Sequence, residues 1–129
     1  MATETASVPA FFRVAAIGET HPLPDLTARF VAGDRLMAMF GHVEPNASLP
    51  LHSHPHEQIS YVLKGTVHFQ VGEQGYDLKP GDGLVIPGGV THGAVRVGES
   101  GCDIIEIFTP LREEYLALMH KAAQETQAP

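Results

Sequence analysis

The stretch PLHSHPHEQISYVLKG, residues 50–65, carries a dense group of side chains that can bind metals. His52 and His54 are two residues apart, and residues i and i+2 of a β-strand point to the same face, so both imidazoles should project into one cavity. Pro55 interrupts the strand because it lacks an N–H and fixes its own φ. Gln58 follows where a turn could swing it back. Taken alone, the two histidines could equally make only local hydrogen bonds.

A second stretch, GDGLVIPGGVTH at residues 81–92, has the same density of signals. Turn residues flank a short apolar strand at 84–86, and His92 opens the strand that follows a Pro-Gly-Gly turn. The two stretches together predict three imidazoles and the Gln58 amide oxygen around one divalent ion. Imidazole suits zinc, nickel, iron, manganese and copper alike, so the ligands do not choose among these metals.

The two stretches resemble the paired motifs of the cupin superfamily. His52, His54 and Gly65 match the first motif, and Gln58 stands at its glutamate position. Asn46 stands at its leading glycine. The second motif is met by Gly81, Pro87, Gly89 and His92, with Arg96 at its final asparagine. The resemblance implies an all-β fold, a double-sheet jelly-roll β-barrel.

Strand patterning along the chain agrees with a sandwich or barrel, since nine or ten short strands recur at regular spacing. We expect a strand at 11–17, irregular chain at 18–25, and separate strands at 93–97 and 103–109. One short C-terminal helix is predicted at about 110–122, with Thr109 as its N-cap. The domain organisation is a flexible N-terminus (1–10), a single domain (11–122) and a flexible tail (123–129).

Length and composition indicate one soluble domain. The 129 residues, 43% of them hydrophobic, suffice for a core without disulfides, and the lone Cys102 fits a reducing compartment. We find no long apolar run and no secretory pattern, so we expect a cytoplasmic protein that does not enter a membrane. The net charge of −7 without a basic cluster argues against nucleic acid as a partner.

The last predicted strand places a carboxylate on an apolar face. Ile104, Glu106 and Phe108 share one face of that strand. Burying an unpaired carboxylate is costly, so Glu106 should either meet a cation or act as an acid or base with a shifted pKa. An exposed end of the strand is the alternative.

A narrower resemblance adds candidate catalytic residues. The metal motifs and the tail IIEIFTPLREEYL, residues 104–116, look like the KdgF family of small cupins, which opens 4,5-unsaturated uronate monomers to linear 5-keto-4-deoxyuronate. The resemblance implies that Glu106 moves a proton, Arg112 pairs with the carboxylate of an anionic sugar acid, and Phe108 packs against the sugar ring. The family usually has aspartate where this chain has Glu106.

Two other functions remain open from the sequence: a cupin-type metal-dependent dioxygenase, and a non-catalytic module that binds a sugar or another effector. A homodimer is expected in each case. The strand at 103–108 is apolar on both faces and the chain starts with an apolar Phe11-Phe12 pair, so outer surfaces should be covered by another subunit.

Overall fold

A computed structural model describes residues 9–127 of the chain, and the side chains of residues 126 and 127 are not described. Most of the predicted flexible N-terminus, residues 1–8, and the last two residues of the predicted tail lie outside that range. Seven strands and one helix follow a 3-10 turn at Val14–Ala16: β1 Thr20–Leu23, β2 Leu26–Ala32, β3 Met37–Val43, β4 Glu57–Val71, β5 Gln74–Leu78, β6 Gly83–Ile86, β7 His92–Thr109 and α1 Glu113–Gln127. Within residues 9–127, no helix is both long enough and apolar enough to cross a membrane.

The strands pair antiparallel in the order β1-β2-β3-β7-β4-β5, and β6 pairs with the free side of β4. Strands β4 and β7 are long enough to take part in two layers, and their register shifts near Gly65 let them bend. The second half of β7 pairs with β3 and the first half of β4, while its first half pairs with the end of β4. The inward side chains of both layers form one hydrophobic core. The predicted all-β architecture with a C-terminal helix is therefore confirmed.

Two expectations near the N-terminus are wrong. The predicted strand at 11–17 contains the 3-10 turn instead, and the stretch expected to be irregular contains β1. Pro22 lies within β1, which is possible because β1 is the outermost strand of the sheet, where a missing N–H leaves no neighbour unpaired. The predicted strands at 93–97 and 103–109 are likewise one continuous strand, β7.

The helix begins and ends later than the predicted range 110–122. Thr109 does not cap it, because the Thr109 hydroxyl donates a hydrogen bond to the Arg35 carbonyl oxygen at 2.7 Å. Helix α1 lies against β1 and β2, and the Tyr115 ring stacks on Phe30 with centroids 4.5 Å apart. Tyr115 also meets Phe108 edge to face at 5.7 Å. The start of the helix thus covers the part of the core next to the histidines.

Candidate functional site

Three imidazoles meet at one end of the core. The ligand atoms of His52, His54 and His92 all lie within 4.8 Å of one another. His92 is the first residue of β7, and its backbone exchanges two hydrogen bonds with His52, at 2.8 and 2.9 Å. His54 and His92 are buried and His52 is exposed, so the group opens to solvent on the His52 side. The structure therefore brings together the three histidines that the spacing predicts.

Each of the three rings is oriented by a backbone carbonyl, which accepts a hydrogen bond from its Nδ1. The Nδ1-to-oxygen distances are 3.2 Å for His52 to Pro50, 3.1 Å for His54 to His56, and 2.8 Å for His92 to Val90. A carbonyl oxygen can only accept, so Nδ1 carries the ring proton and Nε2 keeps its lone pair. A fixed tautomer of this kind is what orients metal-binding histidines.

Gln58 completes the group from the second position of β4. Its Oε1 lies 3.0 Å from Nε2 of His54 and 3.2 Å from Nε2 of His92. Its Nε2 donates to Ser60 Oγ at 2.9 Å and to Glu106 Oε2 at 2.8 Å. These two donated bonds determine which end of the amide faces the histidines. Gln58 reaches the histidines directly from the inward face of β4, so the turn that the sequence suggested is not needed.

The chemistry of these four side chains fits a divalent metal ion. Three imidazole nitrogens and one amide oxygen present lone pairs to a common point, and none of them has a proton to donate there when Nδ1 is protonated. Burial lowers the pKa of His54 to about 4, with the Arg112 charge also lowering it, and burial lowers the pKa of His92. Both rings are thus neutral at pH 7, the state that metal ligation requires.

Glu106 lies directly behind Gln58. It is the register partner of Ser60 across the β4–β7 ladder, and its Oε2 accepts hydrogen bonds from Ser60 Oγ at 2.7 Å and from the Gln58 amide. Burial raises the pKa of Glu106, while the Ser60 hydrogen bond, the Arg112 charge and the Gln58 hydrogen bond oppose that rise. The alternative of an exposed strand end is wrong, since the carboxylate is held inside by two donors.

Arg112 precedes α1 and is 6% exposed. Its guanidinium lies over the rings of Phe108 and Tyr115, 5.0 and 4.0 Å from their centroids. Its Nη2 donates to Glu114 Oε2 at 2.8 Å, and its buried Nε has no hydrogen-bond partner among the described residues. A buried guanidinium with an unused donor is suited to receive an anionic group.

Phe108 differs from its predicted role. Its side chain is 0% exposed and touches His54, with ring centroids 6.0 Å apart, as well as Tyr115 and Arg112. Phe108 therefore lies beneath Arg112 and supports it, rather than presenting a ring to a sugar. Its inward position follows from the strand alternation that also turns Glu106 inward.

Sequence reasoning missed two residues of this site, Ser60 and Tyr115. Ser60 has the parity of Gln58 on β4, so strand alternation could have placed it on the same inward face. Tyr115 follows Arg112 by three residues, and that spacing brings side chains together at the start of a helix. Its ring packs against the hydrophobic core, and the Arg112 guanidinium lies over the same ring.

Two cavities differ in their relation to the site. A cavity of about 40 Å³ inside the core is lined by Glu106 together with Met39, Leu49 and other apolar residues. A larger one, of about 500 Å³, lies at Thr66, His68 and Arg96 and includes none of the predicted site residues. The larger of these two cavities is therefore not the candidate site, which is identified instead by its converging lone-pair donors.

Solved structures of small cupins resemble this chain. The structure of KdgF from Halomonas sp. is 27% identical, with a TM-score of 0.77 over 84% of this chain and 99% of that chain. An RmlC-like cupin from Shewanella frigidimarina is 28% identical, with a TM-score of 0.75 over 84% of this chain and 96% of that chain. Each match covers nearly the whole of the solved chain, so the similarity extends over the whole domain and confirms the jelly-roll class.

A curated relative is the uncharacterized HTH-type transcriptional regulator YdeC of Bacillus subtilis, 38% identical over 60 residues. That match covers 46% of this chain and 21% of the regulator, so the chain spans only about a fifth of that relative. The model of the Cupin domain family matches residues 39–108, more than half of the chain, including every histidine of the candidate metal group. By that match the chain belongs to the cupin domain family.

Proposed function

We propose that this cupin is a metal-dependent enzyme that converts 4,5-unsaturated uronate monomers to linear 5-keto-4-deoxyuronate. The Gln58 amide carries the proposal, because it points its oxygen at His54 and His92 and donates its N–H to Glu106. A carboxyl that can move protons is thereby placed next to the metal-binding group. The likeness to the Halomonas KdgF, over nearly all of that chain, supports the same reaction.

One divalent ion, of zinc, nickel, iron, manganese or copper, would be held by His52, His54, Gln58 and His92. When bound, it supplies positive charge that stabilises negative charge developing on substrate oxygens, without a change of redox state. Because Gln58 is neutral, these ligands leave the full charge of the ion available to an anionic substrate. The chain's own charge of −7 makes such a local positive centre necessary.

Glu106 is the proton carrier of the proposed reaction. Ring opening leaves an enol, which becomes the ketone when its O–H proton leaves and a carbon of the former double bond gains a proton. Burial raises the pKa of Glu106 above its ordinary value, which makes its carboxyl a better proton donor than an exposed glutamate. Ser60 and Gln58 both bind Oε2, so they fix the orientation of the carboxyl group.

Arg112 would bind the uronate carboxylate. Its guanidinium is held over two aromatic rings, and its Nε has no partner among the described residues. A substrate carboxylate that engages Nη2 competes with Glu114, which lies on the exposed side of that pair. Arg112 therefore selects for acids over neutral sugars, and Phe108 contributes by supporting it.

An ultraviolet assay tests the reaction. Metal-reconstituted protein is mixed with unsaturated galacturonate monomer, and the loss of absorbance of the conjugated double bond is compared with the spontaneous rate. We expect fast loss that requires the metal and proceeds equally under nitrogen. No acceleration with any of the five metals would overturn the proposal, and a requirement for oxygen would point to a dioxygenase instead.

An effector-binding module is the second candidate, and the match to the regulator from Bacillus subtilis favours it. In that case the same site would bind a small acid without changing it. Calorimetry with the uronate monomer distinguishes the two functions when run beside the assay. Saturable binding with unchanged absorbance would select the binding module.

A further inference from the structure

Arg112 and Glu114 form an ion pair whose two members differ in how firmly they are held. Nη2 of Arg112 donates to Glu114 Oε2 at 2.8 Å. The Arg112 side chain is 8% exposed, and its guanidinium lies over the rings of Phe108 and Tyr115. The Glu114 side chain is 57% exposed, so more than half of it is already in water. The cation is therefore fixed in place, whereas the carboxylate is free to leave it.

Glu114 carries its negative charge in this pair. Burial raises its pKa, but the hydrogen bond from Arg112, the backbone N–H of Glu114 itself, and the charges of Arg112 and His56 lower it, and together they leave the pKa below its ordinary value. A carboxyl group with a lowered pKa is deprotonated at pH 7. Glu114 therefore presents to Arg112 the same chemical group, a carboxylate, that a sugar acid would bring.

The pair lies beside the candidate metal group. The Phe108 ring contacts both, because its centroid lies 6.0 Å from that of His54 and 5.0 Å from the guanidinium carbon of Arg112. Burial and, next to it, the Arg112 charge lower the pKa of His54, as expected for a cation close to that ring. A ligand whose oxygens reach the metal-binding histidines can therefore extend a carboxylate to Arg112, at the place that Glu114 Oε2 takes.

We propose that Glu114 is a built-in competitor for the substrate's carboxylate: it neutralises Arg112 until a sugar acid binds, and the acid must displace it. The inference rests on the proposed function only in assigning Arg112 as the residue that receives the carboxylate. Pairing with Glu114 spares the buried guanidinium the cost of an uncompensated charge. The displacement exchanges one charge-assisted hydrogen bond for another, so Arg112 alone gives an acid little net affinity. The ligands selected are therefore acids with further oxygens that reach the histidines.

Two neighbouring glutamates provide a matched test. Glu113 and Glu114 are both exposed in the first turn of α1, so Glu113→Gln and Glu114→Gln remove the same charge from the same part of the fold. The probe is galacturonate, a saturated sugar acid without the double bond that reacts, and its binding to the metal-reconstituted protein is measured by calorimetry. We expect Glu114→Gln to bind it roughly 3- to 30-fold more tightly than the unmodified protein does, because an amide competes for Arg112 less well than a carboxylate. Glu113→Gln should stay within about 2-fold of the unmodified protein.

The direction of the change separates competition from a supporting role. If Glu114 only held Arg112 in position for the ligand, Glu114→Gln would weaken binding. Galacturonate binding by Glu114→Gln that is no tighter than that by Glu113→Gln overturns the inference, and so does the absence of galacturonate binding by both variants and the unmodified protein. Galactose, the neutral counterpart, should bind all of them alike, and a gain for galactose equal to that for galacturonate would also overturn it.

The ultraviolet assay, run on the same proteins, keeps the two proposals apart. Tighter galacturonate binding by Glu114→Gln without any ring opening of the unsaturated monomer supports the competitor and rejects the proposed reaction. Ring opening together with an unchanged galacturonate affinity supports the reaction and overturns the competitor.

Discussion

At the scale of single residues, the proposed reaction depends on the proton held by Glu106. Glu106→Gln keeps the shape of the side chain and an oxygen that can accept from Ser60 and the Gln58 amide, but it removes the group that titrates. We expect turnover to fall roughly 100-fold or more, since general acid–base catalysis contributes about that much. Metal content, measured by elemental analysis, should stay unchanged. Full activity in this variant would rule out Glu106 as the proton carrier.

A carboxylate should not be able to replace the Gln58 amide, because the amide oxygen faces the histidines while its N–H donates to Glu106. Gln58→Glu replaces the donor that faces Glu106 Oε2 at 2.8 Å with a second carboxylate oxygen, so the two acids repel or must share a proton. We expect a roughly 10- to 100-fold loss of activity, the usual cost of disrupting a hydrogen bond between a metal-binding side chain and its supporting partner, here Glu106. Gln70→Glu, a half-buried glutamine later on the same strand, is the control and should remain active. Equal activities would contradict the role of the amide.

At the scale of elements, two glycines of the cupin motifs have different structural reasons. Both have positive φ, +76° at Gly65 and +95° at Gly81. A Cβ on Gly65 would collide with the Gly101 carbonyl oxygen on β7, whereas a Cβ on Gly81 meets nothing within 4 Å. Gly65 therefore permits the close approach of the two long strands where they bend, and Gly81 serves only its turn.

These glycines predict unequal effects of the same substitution. Gly81→Ala should lower the free energy of unfolding by roughly 1–2 kcal/mol, the cost of a left-handed non-glycine residue. Gly65→Ala adds a backbone clash and should cost at least about 4 kcal/mol, or prevent folding. Denaturant titration followed by circular dichroism measures both. Similar losses would mean that the β4–β7 approach is not constrained as described.

Strand periodicity placed some elements correctly and failed where tertiary contacts decide. The convergence of His52 and His54 agrees with the alternation from which their shared face was predicted. The break expected before Asp103 is absent, since β7 continues through it with the support of two neighbouring strands. Thr109 was expected to cap α1 but bonds to the Arg35 carbonyl, 74 positions away, a contact that no local pattern can reveal.

At the scale of the whole molecule, the reactivity of the single thiol, Cys102, measures whether the core stays closed to solvent. Cys102 is 2% exposed and lies in the core shared by both layers, where it packs as a small apolar residue. Burial raises the pKa of Cys102 to about 11, with Asp103 and Glu106 adding to it, so the native thiol stays protonated at pH 8. We expect a thiol reagent at pH 8 to label the native protein only as fast as it unfolds, and the unfolded chain at once. Rapid labelling without unfolding would contradict the buried core.

The side chains of the candidate site were easier to predict from the sequence than the residues that pack around them. Side chains that can bind a metal belong to few residue types, so the group of His52, His54 and His92, with Gln58 beside it, could be predicted from the sequence. Arg112 and Tyr115 come together through the packing of α1 on the core, which depends on Phe30 and Phe108 in distant strands. Their geometry could not be predicted from spacing alone.

The most direct test of the central claim is a titration of metal-free protein with divalent ions, following both bound metal and ring opening of unsaturated galacturonate. We predict that activity rises with metal and saturates at one ion per chain. His92→Ala should lose both metal and activity, while His120→Ala, at an exposed position of α1, should lose neither. Full turnover by metal-free protein, or by His92→Ala, would contradict the claim that the four converging side chains hold the ion on which the reaction depends.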